Sequence, residues 1–335
     1  MVELEQVLET MRTQLGLRPG PVEKLGLSAW NAHYRLELEG RPHHLVLYSL
    51  PDPTATAGLQ FEHKILRHLQ ESHFTLIPRL LIVNRESLFP CAGGWFAVTE
   101  WITGCRQEGD PPLTEAQIGS MALGLSDLHR YFAALEMELK YHPDHVFVYP
   151  LPHFLQQQER LLARLGGLLG EDGLGEAARH GWGDSRWRVE KLLREFDLDL
   201  YWRVRHGDPT HIVHGDFRGM NAAFAGERLT HMLDFNCCFN EIRLWDVAYT
   251  ALGLGGQETI GTLRDLPRAA SFLAAYHHRG RLTADERRLL PEMLTFVTGK
   301  LMVGAFAGWC ITDRVQMLAD LQDGAAAEIV RLAGL

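Results

Sequence analysis

The run His214-Gly215-Asp216-Phe217-Arg218-Gly219-Met220-Asn221 carries a carboxylate and an amide five residues apart, and Asp234-Phe235 adds a second carboxylate thirteen residues after Asn221. Mg²⁺ prefers oxygen ligands, usually one or two carboxylates with phosphate oxygens and water. Asn221 and Asp234 have the oxygens for that task. Asp216 is then free to orient an attacking hydroxyl and accept its proton, the division of labour of ATP-dependent phosphoryl transfer. Arg218, two positions after Asp216, offers a bidentate clamp for a transferring phosphoryl group; an Arg pairing with a surface carboxylate is the other use of that residue. A polar turn whose Asp side chains cap backbone amides would use the same residue types. His-Gly-Asp alone does not separate the two readings, whereas the full order of loop, apolar run and Asp-Phe favours phosphoryl transfer.

These residues need elements to carry them. Thr210 to Val213 reads as a short strand leading into the loop, and Leu229 to Leu233 as a second strand ending at Asp234. A strand–loop–strand hairpin of that kind brings Asp216, Asn221 and Asp234 to one mouth. Upstream, residues 3–15 are helical by apolar spacing, with Leu4, Val7, Leu8, Met11 and Leu15 on one face. Strands are expected near 22–27, 32–39 and 43–49, and a helix over 58–70 with Phe61, Ile65, Leu66 and Leu69 as its buried stripe. Trp95 to Gly104 reads as a strand running into a connector, followed by a polar surface loop to Pro112. Beyond residue 113 the pattern is helical. Thr114-Glu115-Ala116-Gln117 is a helix start, and further helices are expected over 153–170, 185–197, 260–279, 284–312 and 314–333. No internal repeat is evident.

Composition narrows the function classes. The apolar fraction of 46% and charged fraction of 22% are those of an ordinary soluble protein. No apolar run approaches the roughly 18 residues of a membrane span, and the acidic, amphipathic start Met1-Val2-Glu3-Leu4-Glu5 does not resemble a secretory signal. A net charge of −9 gives no electrostatic reason to expect nucleic acid. The five Cys lack a CxxC pattern, and the adjacent Cys237-Cys238 read as buried free thiols. The expected setting is the cytoplasm, with a small-molecule substrate, no nucleic-acid or membrane partner, and a monomer or homodimer.

On the run His214–Asn221 with Asp234, on Leu244-Trp245-Asp246-Val247-Ala248 and on Leu125-Ser126-Asp127-Leu128-His129, the chain resembles the aminoglycoside phosphotransferase / choline kinase-like superfamily, which includes type II homoserine kinases. The resemblance implies an α+β, two-lobed protein-kinase-like fold, with a small antiparallel-sheet lobe for the nucleotide over 1–100 and a larger, mainly helical lobe for catalysis and substrate over 101–335. It implies ATP and Mg²⁺ as cofactors. It makes Asp246 a brace for the loop, and His214 and His129 structural hydrogen-bonding residues. It places Val46, Tyr48 and Glu62 at the nucleotide phosphates, and the backbone near Glu100 and Ile102 at the adenine. It also places a phosphate-covering turn at Gly26 to Asn31, where an ordinary hairpin is the other reading.

One position departs from the family. Related kinases carry Lys or Arg on the third strand, held by a Glu on the following helix. Alternation puts Val46 and Tyr48 on one face, so the basic position falls on Tyr48, and no Lys or Arg lies within residues 42–63. The cation is then supplied from elsewhere, with Arg35 or Lys24 as candidates, or its loss slows turnover, or the protein binds nucleotide without turning it over. Candidate substrate-lining residues are Asn236, Trp245, Tyr249, Trp309 and Arg314, with aromatic faces for an amine and Arg for an anion. The expected activity is transfer of the γ-phosphate of ATP to a hydroxyl of an amino alcohol, aminoglycoside-like or sugar-like molecule. The alternatives are a weak or inactive nucleotide- or metabolite-binding protein on the same fold and, less favoured, a Ser/Thr protein kinase. Only eleven residues separate Asp234 from Asp246, too few for a peptide-docking segment.

Overall fold

A computed structural model describes residues 3–27, 31–48, 53–106, 110–135, 151, 182–208, 212–254, 266–304 and 317–335. The chain divides into two compact units. One comprises Met1–Cys105 with Ala223–Ala225 and Thr230–Asn236, and the other comprises Arg106–Ala222, Gly226–Leu229 and Cys237–Leu335.

The first unit is built on a five-stranded antiparallel sheet. Helix α1 (Leu4–Thr13) precedes strands β1 (Pro19–Leu27), β2 (Asn31–Leu38) and β3 (Arg41–Tyr48); helix α2 (Pro53–Glu71) leads to β4 (Phe89–Cys91) and β5 (Gly94–Glu100). The strand order is β1-β2-β3-β5-β4, every pair antiparallel. Period-2 alternation sorts the side chains. Leu36, Leu38, Leu45, Leu47, Phe96 and Val98 face Val7 and Met11 of α1 in one buried layer. On the other face Ala97 meets Leu59 of α2, with Tyr48 and Trp95 packed against them. Leu59, Ile65, Leu66 and Leu69 recur at helical spacing and are all buried. Pro53 is tolerated at the first turn of α2, where its missing N–H has no intrahelical partner to lose.

The second unit is helical. Helix α3 (Glu115–Phe132) opens with a capping box: Gln117 N–H donates to Thr114 Oγ1 at 3.2 Å and Thr114 N–H donates to Gln117 Oε1 at 3.0 Å. Helices α4 (Trp182–Glu195) and α5 (Leu198–Gly207) come next, then a short 3₁₀ turn at Gly219–Asn221. The two-stranded ribbon β6 (Ala222–Ala225) and β7 (Arg228–Met232), most of whose residues belong to the first unit, follows in sequence; the second unit continues with α6 (Leu244–Leu252), α7 (Leu266–Gly280), α8 (Ala284–Gly304) and α9 (Ala326–Leu332).

Two expectations are corrected. At the end of the apolar run before the loop, Ile212 and Val213 are buried and Val213 makes an isolated bridge to Phe239 rather than part of a ladder; Thr210 and His211 lie outside the described residues. The hairpin forms instead from β6, directly after Asn221, and β7, which ends two residues before Asp234. The expected single helix over 314–333 is broken by a π turn at Leu321–Ala325, where Gly324 takes φ +120. The expected helix over 153–170 lies outside the described residues, as do Trp309 and Arg314.

Candidate active site

Helix α6 acts as a template for the loop His214–Gly219. Asp246 in its first turn is 0% exposed and takes three donors: His214 N–H (2.7 Å) and Gly215 N–H (2.8 Å) from the loop, and His129 Nε2 (3.0 Å) from α3. His129 is itself held through Nδ1 by Tyr276 Oη at 2.6 Å. One turn along α6, the Tyr249 hydroxyl donates to Asp216 Oδ1 and Thr250 Oγ1 donates to Phe217 O at 2.8 Å. At the helix end, Gly253 O accepts from Gly219 N–H at 3.3 Å. Positions 246, 249/250 and 253 share one helical stripe, so the loop runs along a single face and is bonded to it nearly residue by residue. Trp245 adds an indole N–H to Gly215 O at 3.3 Å.

The loop's shape has a backbone requirement. Gly215 has φ +84, and a Cβ there would fall 2.0 Å from Cys237 O, so only glycine fits.

Asp216 is gripped on both carboxylate oxygens. Asn221 Nδ2 donates to Oδ2 at 2.9 Å and to the Asp216 backbone O at 2.7 Å, while Tyr249 serves Oδ1. Arg218 Nε lies 3.4 Å from Oδ1. Burial first, and the Asp216 charge second, push the Tyr249 hydroxyl well above its ordinary pKa, so it remains a phenol and a donor. With Nδ2 committed to Asp216, the atom Asn221 can offer to a cation is Oδ1.

Behind the loop, the Lys300 ammonium stands 4.0 Å from the Trp245 ring centroid and 4.5 Å from that of Phe239. Burial lowers its pKa to about 7, against the opposing pull of Glu241. Glu241 is buried and accepts from Leu151 N–H, Tyr201 Oη and Ile242 N–H.

In the sheet unit, Val46 and Tyr48 lie on β3, paired with Ala97 and Trp95 of β5. Tyr48 comes under the Coulomb influence of Glu62 on α2 and of Asp234, and burial with these two charges holds its hydroxyl protonated. Burial, then Asp234, raises Glu62 to about 8. Asp234 takes φ +66, left-handed backbone that is uncommon outside glycine and concentrates at functional positions. Strand register disposes of the two candidate cations. Lys24 pairs with Tyr34 and so falls on the α1 face, away from Tyr48. Arg35 shares the face of Tyr48 but pairs with His44, four residues from Asn31, the partner of Tyr48, which is about 13 Å along the strand. Its guanidinium lies 3.8 Å from Glu23 and over the Trp101 ring.

Glu100 ends β5; its N–H donates to Arg79 O at 2.9 Å and its carboxylate accepts from Arg79 N–H at 2.9 Å and lies 3.3 Å from His231 Nε2. Ile102 follows in irregular chain. Beyond it, Gly104 has φ +77, with Phe224 O where a Cβ would stand. Asn236 is exposed in a 3₁₀ turn. Trp245 is 1% exposed and Tyr249 5% exposed, so the structure puts both beneath the loop, where sequence reasoning had placed them along a pocket wall. What sequence reasoning missed is the bond of Tyr249 to Asp216. Helical periodicity counted forward from Asp246 places Tyr249 on the same stripe, but the bond to Asp216 depends on how the helix lies against the loop.

The family model described as "Phosphotransferase enzyme family" matches residues 22–290, and the chain belongs to that family. The homoserine kinase of Zymomonas mobilis subsp. mobilis is 29% identical over 99 residues, which span 29% of this chain and 30% of that protein. Among solved structures, spectinomycin phosphotransferase in complex with ADP and spectinomycin superposes with TM-score 0.60 at 13% identity, covering 99% of both chains. An aminoglycoside phosphotransferase from Alicyclobacillus acidocaldarius gives TM-score 0.60 at 15% identity, covering 100% of this chain and 96% of that one. A microcompartment-associated aminopropanol kinase gives 0.58 at 14% identity, covering 98% of each chain. The fold is the two-lobed, kinase-like α+β fold of these phosphotransferases.

Proposed function

We propose that the protein moves the γ-phosphoryl group of ATP, with Mg²⁺, to a hydroxyl of a small molecule. The observation that carries this reading is the two-point grip on Asp216, with the Asn221 amide on one carboxylate oxygen and the Tyr249 hydroxyl on the other. A carboxylate held this way is pre-set to orient an acceptor hydroxyl and take its proton. The grip leaves Asn221 Oδ1 as the amide atom for a metal, and Asp234 presents an exposed carboxylate on left-handed backbone. These oxygen donors suit Mg²⁺, which keeps most of its shell for phosphate and water. Among the described residues no cluster of three or more His, Cys, Asp and Glu side chains forms a metal cage. When bound, the ion would neutralise phosphate charge. Arg218, beside Asp216, is assigned to the transferring group.

Tyr48, a neutral side chain, occupies the strand position where the family's cation is expected, and burial, then the Asp234 charge, raises Glu62 to about 8. That observation favours a second reading, a protein that binds nucleotide and turns it over slowly or not at all. The relatives suggest the acceptor class: homoserine kinase, aminopropanol kinase and spectinomycin phosphotransferase are named for hydroxylated amines or their kin. We assign the protein to the cytoplasm as a monomer or homodimer; no described helix is long and apolar enough to cross a membrane.

The test is ATP binding by thermal shift with and without Mg²⁺, in wild type and Asp234→Ala. Mg²⁺-enhanced binding that Asp234→Ala removes supports the reading; binding indifferent to Mg²⁺ and to Asp234 sinks it.

A further inference from the structure

We infer that Tyr249 is a positioning residue for Asp216: its hydroxyl, carried on the α6 stripe that also anchors the loop backbone, sets the plane of the Asp216 carboxylate towards the acceptor. The inference rests on the reading of Asp216 as the group that orients the acceptor hydroxyl.

Four observations support it. The terminal torsion of an Asp side chain is broad and roughly two-fold, so a single donor leaves the carboxylate free to swing. Donors on opposite oxygens remove that freedom, and Asn221 on Oδ2 with Tyr249 on Oδ1 are such a pair. The phenol is itself immobilised. Its ring stacks on Trp245 with centroids 6.2 Å apart and planes 23° apart, and Trp245 is tied to Gly215 O. The same helix braces the neighbouring loop atoms through Asp246, Thr250 and Gly253, so Asp216 and its donor move as one body. Finally, Tyr249 is almost wholly enclosed, which leaves little surface for contact with a substrate.

Arg218 Nε approaches the same Oδ1. A guanidinium left as the sole partner of that oxygen would draw the carboxylate towards itself. Tyr249 supplies a competing, uncharged donor to that oxygen.

Positioning and substrate contact have different kinetic signatures. A group that aligns the reacting carboxylate acts on kcat, whereas a pocket wall acts on the acceptor KM. Tyr249→Phe keeps the stacking ring and removes only the hydroxyl. The expected result is a fall in kcat of about tenfold or more, with KM for ATP and for the acceptor within about twofold of wild type, and a melting temperature within a few degrees. In the Asp216→Asn background the same substitution should add nothing further, because the two act through one carboxylate. Unchanged kcat in Tyr249→Phe, or a raised acceptor KM at unchanged kcat, overturns the inference. So does an equal drop in both backgrounds. Failure of the underlying reading looks different: Asp216→Asn would then retain wild-type turnover whatever Tyr249→Phe does.

Discussion

The loop on α6 and the Tyr48 face of the sheet handle charge in opposite ways. Around Asp216 and Asp246 every carboxylate oxygen has a donor: two backbone amides and an imidazole for one, an amide and a phenol for the other. Beside Tyr48 lie the acids Glu62 and Asp234, and burial, then the Asp234 charge, raises the pKa of Glu62 to about 8. The first region is complete before any ligand arrives. Among the described residues the second has no positive charge paired with Glu62, where a lysine is expected from the family resemblance. The difference teaches that the loop around Asp216 and the sheet face around Tyr48 are built from separate interactions, and that one can stay intact while the other changes.

The largest effect is expected from breaking the completed region. Asp246→Ala leaves the N–H groups of His214 and Gly215 buried without acceptors, each costing about 1–3 kcal/mol. The substitution should lower stability by about 3–5 kcal/mol, the range for stripping one partner from a buried charged network. Chemical denaturation measures it; a loss under 1 kcal/mol would show that α6 does not template the loop.

A smaller and opposite effect is expected from completing the other region. Tyr48→Lys places an ammonium within reach of Glu62 and Asp234. Mg-ATP affinity or kcat should rise by about tenfold, a change of about 1.4 kcal/mol. Unchanged or weaker nucleotide binding would mean that the missing charge is not a defect of this site.

A further expected effect is a pH slope. The folded pKa of Glu62, about 8, lies above its ordinary 4.5. Between those values the unfolded chain releases a proton that the folded protein retains, so stability falls as pH rises through the window and levels off above it. Glu62→Gln should remove this slope, and its melting temperature relative to wild type should climb steadily from pH 5 to pH 8. A constant offset across that range would contradict the assignment.

Much of this was legible in sequence because it is local. The Asp216–Asn221 spacing, the alternation that buries Leu45 and Leu47 against α1, and the Thr114–Gln117 capping box all depend on residues a few positions apart. Asp246 was legible through resemblance. The role of Tyr249 was not, because a hydrogen bond from helix to loop depends on how the helix lies across it. The described end of the strand expected at Thr210–Val213 departs from expectation for a related reason. An apolar run signals burial, and Ile212 and Val213 are buried, but a ladder needs a partner strand, and Val213 has a single bridge. The Glu62–Asp234 repulsion joins residues 172 positions apart, and Tyr48 could be flagged from sequence only as the absence of a lysine.

The central question is whether the completed loop drives transfer without a sheet-borne cation. The direct measurement is ADP release from Mg-ATP across homoserine, aminopropanol, spectinomycin and related hydroxylated amines, for wild type and Asp216→Asn side by side. Wild type should show acceptor-stimulated ADP release that falls at least about a hundredfold in Asp216→Asn. Mg-dependent ATP binding with no acceptor-stimulated release, the same in both proteins, would contradict it and leave a nucleotide-binding protein on a phosphotransferase fold.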